Sequence, residues 1–276
     1  MEQIIHLFQL TFFKNALLAA ILASIACGII GSYIVSRRIV FISGGITHAS
    51  FGGIGMGYYF SFDPIFGAVI FGILSALGIE FFSKKADLRE DSAIAMLWAL
   101  GMALGIIFIF LTPGYAPNLM SYLFGNILTV SLTDLIFLTL LAIFIAAFFF
   151  FFYRVILFVA FDEEFALTNN APVRLINAIL ISLVALTIVL NIRVVGIILV
   201  MSLLTIPQAI ANLFTKKFDR MIGYSILFGL IGSLLGLLFS YIYDIPSGAA
   251  IIFVLVVMWG LIKSAKVLFS RPEATQ

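Results

Sequence analysis

Long apolar runs separated by short polar or helix-breaking punctuation make up nearly all of the 276-residue chain. Windows of about 20 residues place about nine membrane-crossing helices. They fall at 12–35, 39–61, 65–82, 92–111, 132–153, 174–190, 194–212, 221–242 and 248–262. Several are short or closely spaced, so the pattern admits eight to ten. Breakers stand between the spans at Asp63-Pro64, Pro113-Gly114, Pro117, Pro172 and Pro246. Only Pro207 lies inside one, where it predicts a kink in the seventh helix and a freed carbonyl near Leu203.

Two connections are longer than turns. The first, Thr112 to Ser131, holds an apolar stretch at 119–128 that is too short to span, and it predicts a short helix that lies at the outer surface or re-enters the membrane. The second, Arg154 to Arg174, contains FDEEFALTNNAPV at 161–173. Asp162, Glu163 and Glu164 favour a helix start there, and Asn169, Asn170 and Pro172 close it, predicting a helix of about eight residues in an otherwise polar loop. The segment reads either as a docking element for another protein or as a solvated loop.

Charge orients the bundle. If the Lys84-Lys85 loop is cytoplasmic and the spans alternate, thirteen of the fifteen Lys and Arg residues lie inside, leaving Lys14 and Arg193 outside. The excess of cations on the cytoplasmic side predicts an outer N-terminus and a cytoplasmic C-terminus. Composition agrees with this class: 63% of residues are hydrophobic, 10% are charged, and the mean hydropathy is +1.24. The expected architecture is therefore an all-α integral membrane protein, one polytopic bundle over 1–276, multi-pass in the lipid bilayer, with no nucleic-acid partner. A lone cysteine, Cys27, excludes an internal disulfide and a multi-thiolate metal site. The stretch 22–27 has a faint likeness to a lipoprotein cleavage site, but Ser24 and the lack of a basic leader favour a retained helix. No GxxxxGK[ST] loop is present, so the chain cannot itself bind ATP by that means.

The second span carries the candidate chemistry. His48 lies near its middle, with Gly44 and Gly52 at i−4 and i+4 and Gly45 at i−3, so its own helix leaves space beside the imidazole. A second row, Gly45, Ala49, Gly53 and Gly57, is spaced for close approach of another helix. GxxxG pairs recur at Gly101/Gly105 and Gly232/Gly236. An ionisable group in mid-membrane reads either as a functional site or as a neutral histidine hydrogen-bonded to a neighbouring helix. Gln208, next to Pro207, reads either as a partner for backbone freed by the kink or as a lining residue of a path. Glu80 at an inner helix end and Asp134 at an outer helix start read as structural.

Six strings together carry a resemblance. SGGITHASFGGIG (43–55), DSAIAMLWALGMALGIIF (91–108), SYLFGNILTVS (121–131), FDEEFALTNNAP (161–172), VVGIILVMSLLTIPQAIA (194–211) and IPSGAAII (245–252) occur in order. Over nearly its whole length the chain resembles the permease subunits of ATP-driven importers for zinc and manganese, the metal-ion branch of ABC transporters. The resemblance implies a type II importer fold and a homodimer in the inner membrane of a prokaryote. It further implies two cytoplasmic ATP-binding subunits and an extracytoplasmic metal-binding protein. It implies that 161–173 is the coupling segment, with Asp162, Glu163, Glu164, Phe165, Ala166 and Leu167 at the ATPase. Phe165 and Leu167 are expected as apolar anchors, with the acidic residues at the rim. His48 is expected as a ligand on the translocation path, with Gly44, Gly45, Gly52, Gly53, Pro207 and Gln208 serving packing or path. No cofactor is expected beyond the transported divalent ion, and ATP acts only through the partner. Zinc is the first expectation for the cargo, with manganese or iron as alternatives. The family usually has an aspartate four residues before the histidine; here that position is Gly44, so the chain offers only the imidazole.

Rival readings are weaker. A permease for a metal chelate, haem or siderophore, shares the architecture but not the histidine segment. A secondary transporter would need carboxylates at span centres, and the sequence has none there. An intramembrane metalloprotease would need H-E-x-x-H, which is absent.

Overall fold

The computed structural model describes residues 10–85, 88–113, 125, 127–169 and 172–269. Among these the chain is helical throughout, with α1 Thr11–Ser36, α2 Val40–Tyr59, α3 Pro64–Lys85 and α4 Glu90–Leu111. A 3-10 turn at Ile127–Thr129 precedes α5 Leu132–Phe161, α6 Glu163–Thr168 and α7 Val173–Val195. The chain closes with α8 Ile197–Leu203, α9 Ile206–Phe214, α10 Phe218–Tyr243 and α11 Ser247–Phe269. The expected surface helix at 119–128 lies mostly outside the described residues.

Local chemistry sets the ends. Pro64 opens α3, with the Asp63 carboxylate accepting from the Ile65 N–H at 2.7 Å. Ser131 and Asp134 form a reciprocal capping box at the start of α5. Gly196, at φ 82, separates α7 from α8, a backbone conformation few side chains tolerate. Among the described residues eight helical stretches are long and apolar enough to cross a membrane, Ile197–Phe214 counting as one. The glycine-rich α2 would be the ninth. It runs between α3 and α4, and its hydroxyls bond back to their own helix: Thr47 to the Ser43 carbonyl at 2.5 Å and Ser50 to the Ile46 carbonyl at 2.7 Å. Groups satisfied within the helix can sit where water is absent.

Several spans differ from expectation: the sixth and ninth were expected to end at 190 and 262, whereas α7 and α11 run to Val195 and Phe269. The fifth was expected to end at 153, but α5 has 30 residues, about 45 Å at ~1.5 Å per residue, so it outruns the hydrocarbon core. The seventh was expected as one kinked helix. It is broken outright at Leu204-Thr205, and Pro207 sits in the first turn of α9, where its missing N–H costs nothing.

The glycine rows bring backbones together. Gly53 of α2 meets the Gly67 backbone of α3. Gly101 and Gly105 of α4 lie on the backbones of Ala49 and Phe51. Gly236 lies against Ile251 of α11. In lipid, dispersion gained by such close approach replaces the hydrophobic drive between helices.

Candidate functional site

A cavity of ≈ 680 Å³ opens between α2, α4 and α8. His48 lines it together with Gly44, Trp98, Met201, Ser202 and Thr205. The imidazole is half-buried and stacks on the Trp98 indole, with centroids 4.2 Å apart and planes 6° from parallel. His48 Nδ1 is buried and has no hydrogen-bond partner among the described residues. Ser202 and Thr205 donate to carbonyls of their own turn, Ile198 at 2.9 Å and Met201 at 2.9 Å. Their oxygens keep lone pairs for a passing ligand.

Gly44 leaves room. A Cβ at Gly44 would stand 3.2 Å from the end of Met201 and 3.6 Å from Trp98, so an aspartate there would need only a small shift of a flexible thioether. Gly52 does not keep space open as expected. Phe71 of α3 and the Gly101 carbonyl fill it, at 2.9 and 3.2 Å from where a Cβ would be. Gly45 faces Ile94, at 2.7 Å from such a Cβ, and Gly53 faces Gly67; both serve packing. Among the described residues no three His, Cys, Asp or Glu side chains converge, and His48 is the one such side chain lining this cavity.

Pro207 and Gln208 are buried away from the cavity. The Gln208 Nε2 donates to the Cys27 carbonyl at 2.9 Å and to the Leu203 carbonyl at 3.2 Å. It thus satisfies the backbone freed at the break and ties α9 to α1.

At the far end of α5, Asp162 caps α6 by accepting from the Phe165 N–H at 2.9 Å. Helix α6 has six residues, and Phe161 and Val173 belong to its neighbours α5 and α7. Phe165 and Leu167 are 47% and 57% exposed, and Glu164 is exposed too, so these three can meet another chain. Two residues do not face outward as expected. Ala166 is fully buried against the bundle. Glu163 turns inward, its carboxylate 3.8 Å from Arg37 and accepting from Asn177 Nδ2 at 3.4 Å. A partly desolvated carboxylate takes the cation available to it.

Other partnerships were invisible in the chain order. Trp98 escaped notice because an aromatic in an apolar span looks like any other. Arg193 Nε lies 2.9 Å from the Asp134 carboxylate, so this cation of the sparsely charged side is neutralised in place. Gly125, at φ +59, packs on the backbone of Gly196 at the break between α7 and α8.

A bundle of long apolar helices with a broken helix facing a cavity, and a short exposed helix between two of the long ones, has the form of a transport permease. The sequence profile of the ABC 3 transport family matches residues 9–265, and the chain belongs to that family. It is a transmembrane ABC transporter permease. A membrane protein of unassigned function from Synechocystis sp. is 42% identical over 253 residues, covering 92% of this chain and 90% of its own. The manganese transport system membrane protein MntC of Halalkalibacterium halodurans is 36% identical over 256 residues, covering 93% and 88%. Among solved structures, PsaBC from Streptococcus pneumoniae in complex with Fab contains a chain of similar fold. The TM-score is 0.84 at 30% identity, covering 99% of this chain and 96% of that one.

Proposed function

We propose that the chain is the membrane subunit of an importer of a divalent transition-metal ion, with His48 contacting the ion in transit. The single observation that carries this is the His48 ring on the wall of the 680 Å³ cavity, its Nδ1 without a hydrogen-bond partner among the described residues. Manganese is the cargo the named relatives favour, and it takes the place of zinc as first expectation; zinc, which imidazole also suits, and iron follow.

The homodimer supplies what one chain lacks. Phe41 at 76% and Ile198 at 42% exposure line the cavity as an apolar rim. A second copy seated on that rim would bring a second imidazole to the same path. Hydrolysis of ATP belongs to partner subunits that contact Phe165 and Leu167, and an extracytoplasmic protein delivers the ion. The N-terminus faces outward, as the charge distribution supports. A cysteine at Asp244 reacts with an impermeant thiol reagent added to intact cells and one at Lys216 does not; the reverse pattern inverts the orientation.

The deciding experiment measures manganese(II) and zinc(II) uptake by His48→Ala in cells, alongside pull-down of the complex. Uptake falls at least about tenfold, the scale of losing a metal contact, while assembly persists. Wild-type uptake of both ions would reduce His48 to packing.

A further inference from the structure

The corner between α1 and α2 carries an arginine with partners on four helices. Arg37 Nη1 lies 3.0 Å from Asn177 Oδ1 on α7, 3.4 Å from the Tyr33 hydroxyl on α1 and 3.5 Å from the Val159 carbonyl on α5. Its Nη2 is 3.8 Å from Glu163 on α6. Asn177, 1% exposed, closes the ring by donating to the same Glu163 carboxylate at 3.4 Å. A planar guanidinium can hold several acceptors at fixed angles, which an ammonium cannot. Glu80 and Glu90, from α3 and α4, line the small cavity of ≈ 70 Å³ that Arg37 also lines.

What lies either side of this node gives it meaning. Arg38, at φ 60, turns the chain sharply, and α2 begins at Val40, eight residues before His48. Helix α7 begins at Val173 and passes through Gly196 into α8, which forms the opposite wall of the His48 cavity. Both walls therefore start from elements that Arg37 and Asn177 hold. The third member of the ring, Glu163, is the first residue of the short exposed helix.

We propose that Arg37, Asn177 and Glu163 form the joint that passes displacement of α6 to both walls of the His48 cavity. They act as positioning residues that make transport follow ATP hydrolysis. This rests on the reading that α6 contacts the ATPase. With the joint intact, a push on α6 moves the foot of α7 and the α1–α2 corner together. With it loosened, α6 moves against a bundle that does not follow. Energetic coupling of this kind requires that both ends bias one shared element, and here that element is a charged, hydrogen-bonded ring.

The test uses the permease with its ATPase subunits, reconstituted in vesicles with the ion-loaded binding protein, and reads manganese(II) or zinc(II) moved per ATP hydrolysed. Arg37→Lys keeps the charge and loses the fork; Glu163→Gln keeps the Asn177 contact and loses the charge. Each assembles and retains hydrolysis, while ions moved per ATP fall about tenfold, within the usual range of coupling between sites. The exchanged pair Arg37→Glu with Glu163→Arg recovers part of the ratio. Transport and hydrolysis falling in equal proportion would show a merely structural role and overturn the proposal, as would an unchanged ratio in both single variants. If Arg37→Lys does not assemble, Glu163→Gln decides alone. The joint change Phe165→Ala with Leu167→Ala separates this inference from the reading beneath it. If ATPase binding survives that change, the α6 reading fails. If binding is lost while the Arg37 and Glu163 variants keep a normal ratio, only the joint fails.

Discussion

Both halves of α2 carry glycine, and the glycines differ in what they meet. Beyond residue 50, Gly52, Gly53 and Gly55 are closed off by Phe71 and by the backbones of Gly67 and Gly105. Before it, Gly44 opens with His48 onto a cavity that α4 and α8 line but do not fill. Glycine in the first case allows two backbones to touch; in the second it leaves a side chain's volume for something else. A small residue in a membrane helix thus says that a neighbour or a ligand comes close, and the neighbour's own side chains decide which.

The comparison can be broken most sharply at Gly53. A leucine there must overlap the Gly67 backbone, which cannot yield as a side chain can. Gly53→Leu is expected to cost about 3 kcal/mol or more, read as loss of monodisperse protein in detergent and of its thermal transition. A stable, active Gly53→Leu would mean that the α2–α3 contact is looser than described.

At the open half, His48→Ala is expected to leave the thermal transition in place while uptake collapses, separating function from packing on one helix. Gly44→Asp should have a smaller effect of opposite sign. A carboxylate one turn from the imidazole offers the ion two ligands on one face, and manganese(II) affinity in the purified permease should rise about tenfold. An unchanged affinity would place His48 away from the ion. Gly44→Ala should do least. Its Cβ meets only the flexible end of Met201 and an indole edge, so stability should shift by less than about 0.5 kcal/mol. A loss comparable to that of Gly53→Leu would erase the difference between the two halves.

Much of this was legible in the chain. The spans at 12–35, 65–82, 92–111 and 221–242 sit within a few residues of the ends of α1, α3, α4 and α10, and the span at 248 starts one residue after α11 does, because an apolar run bounded by Pro or charge has no other stable form in lipid. The carbonyl freed by Pro207 is the Leu203 carbonyl, and Gln208 takes it. The length of α5 was not legible, since Arg154 reads as a helix end and is helical interior. Nor was the inward turn of Glu163: an acidic triplet DEE looks uniformly solvated, and only the foot of α7 and Arg37, distant in sequence, single out its middle member.

By itself, then, the order of apolar and polar residues determined a polytopic helical bundle, its close-packed glycine rows and a lone histidine in the second helix. Those follow from local rules, the cost of unbonded backbone in lipid and the spacing of side chains on a helix. The tertiary structure alone decided that His48 stacks on Trp98 at a cavity, that Gly52 is closed and Gly44 open, and that Arg37 gathers four helices. Each of those depends on which side chain another helix presents at one depth, and residues tens to more than a hundred positions apart carry no mark in the sequence of having met.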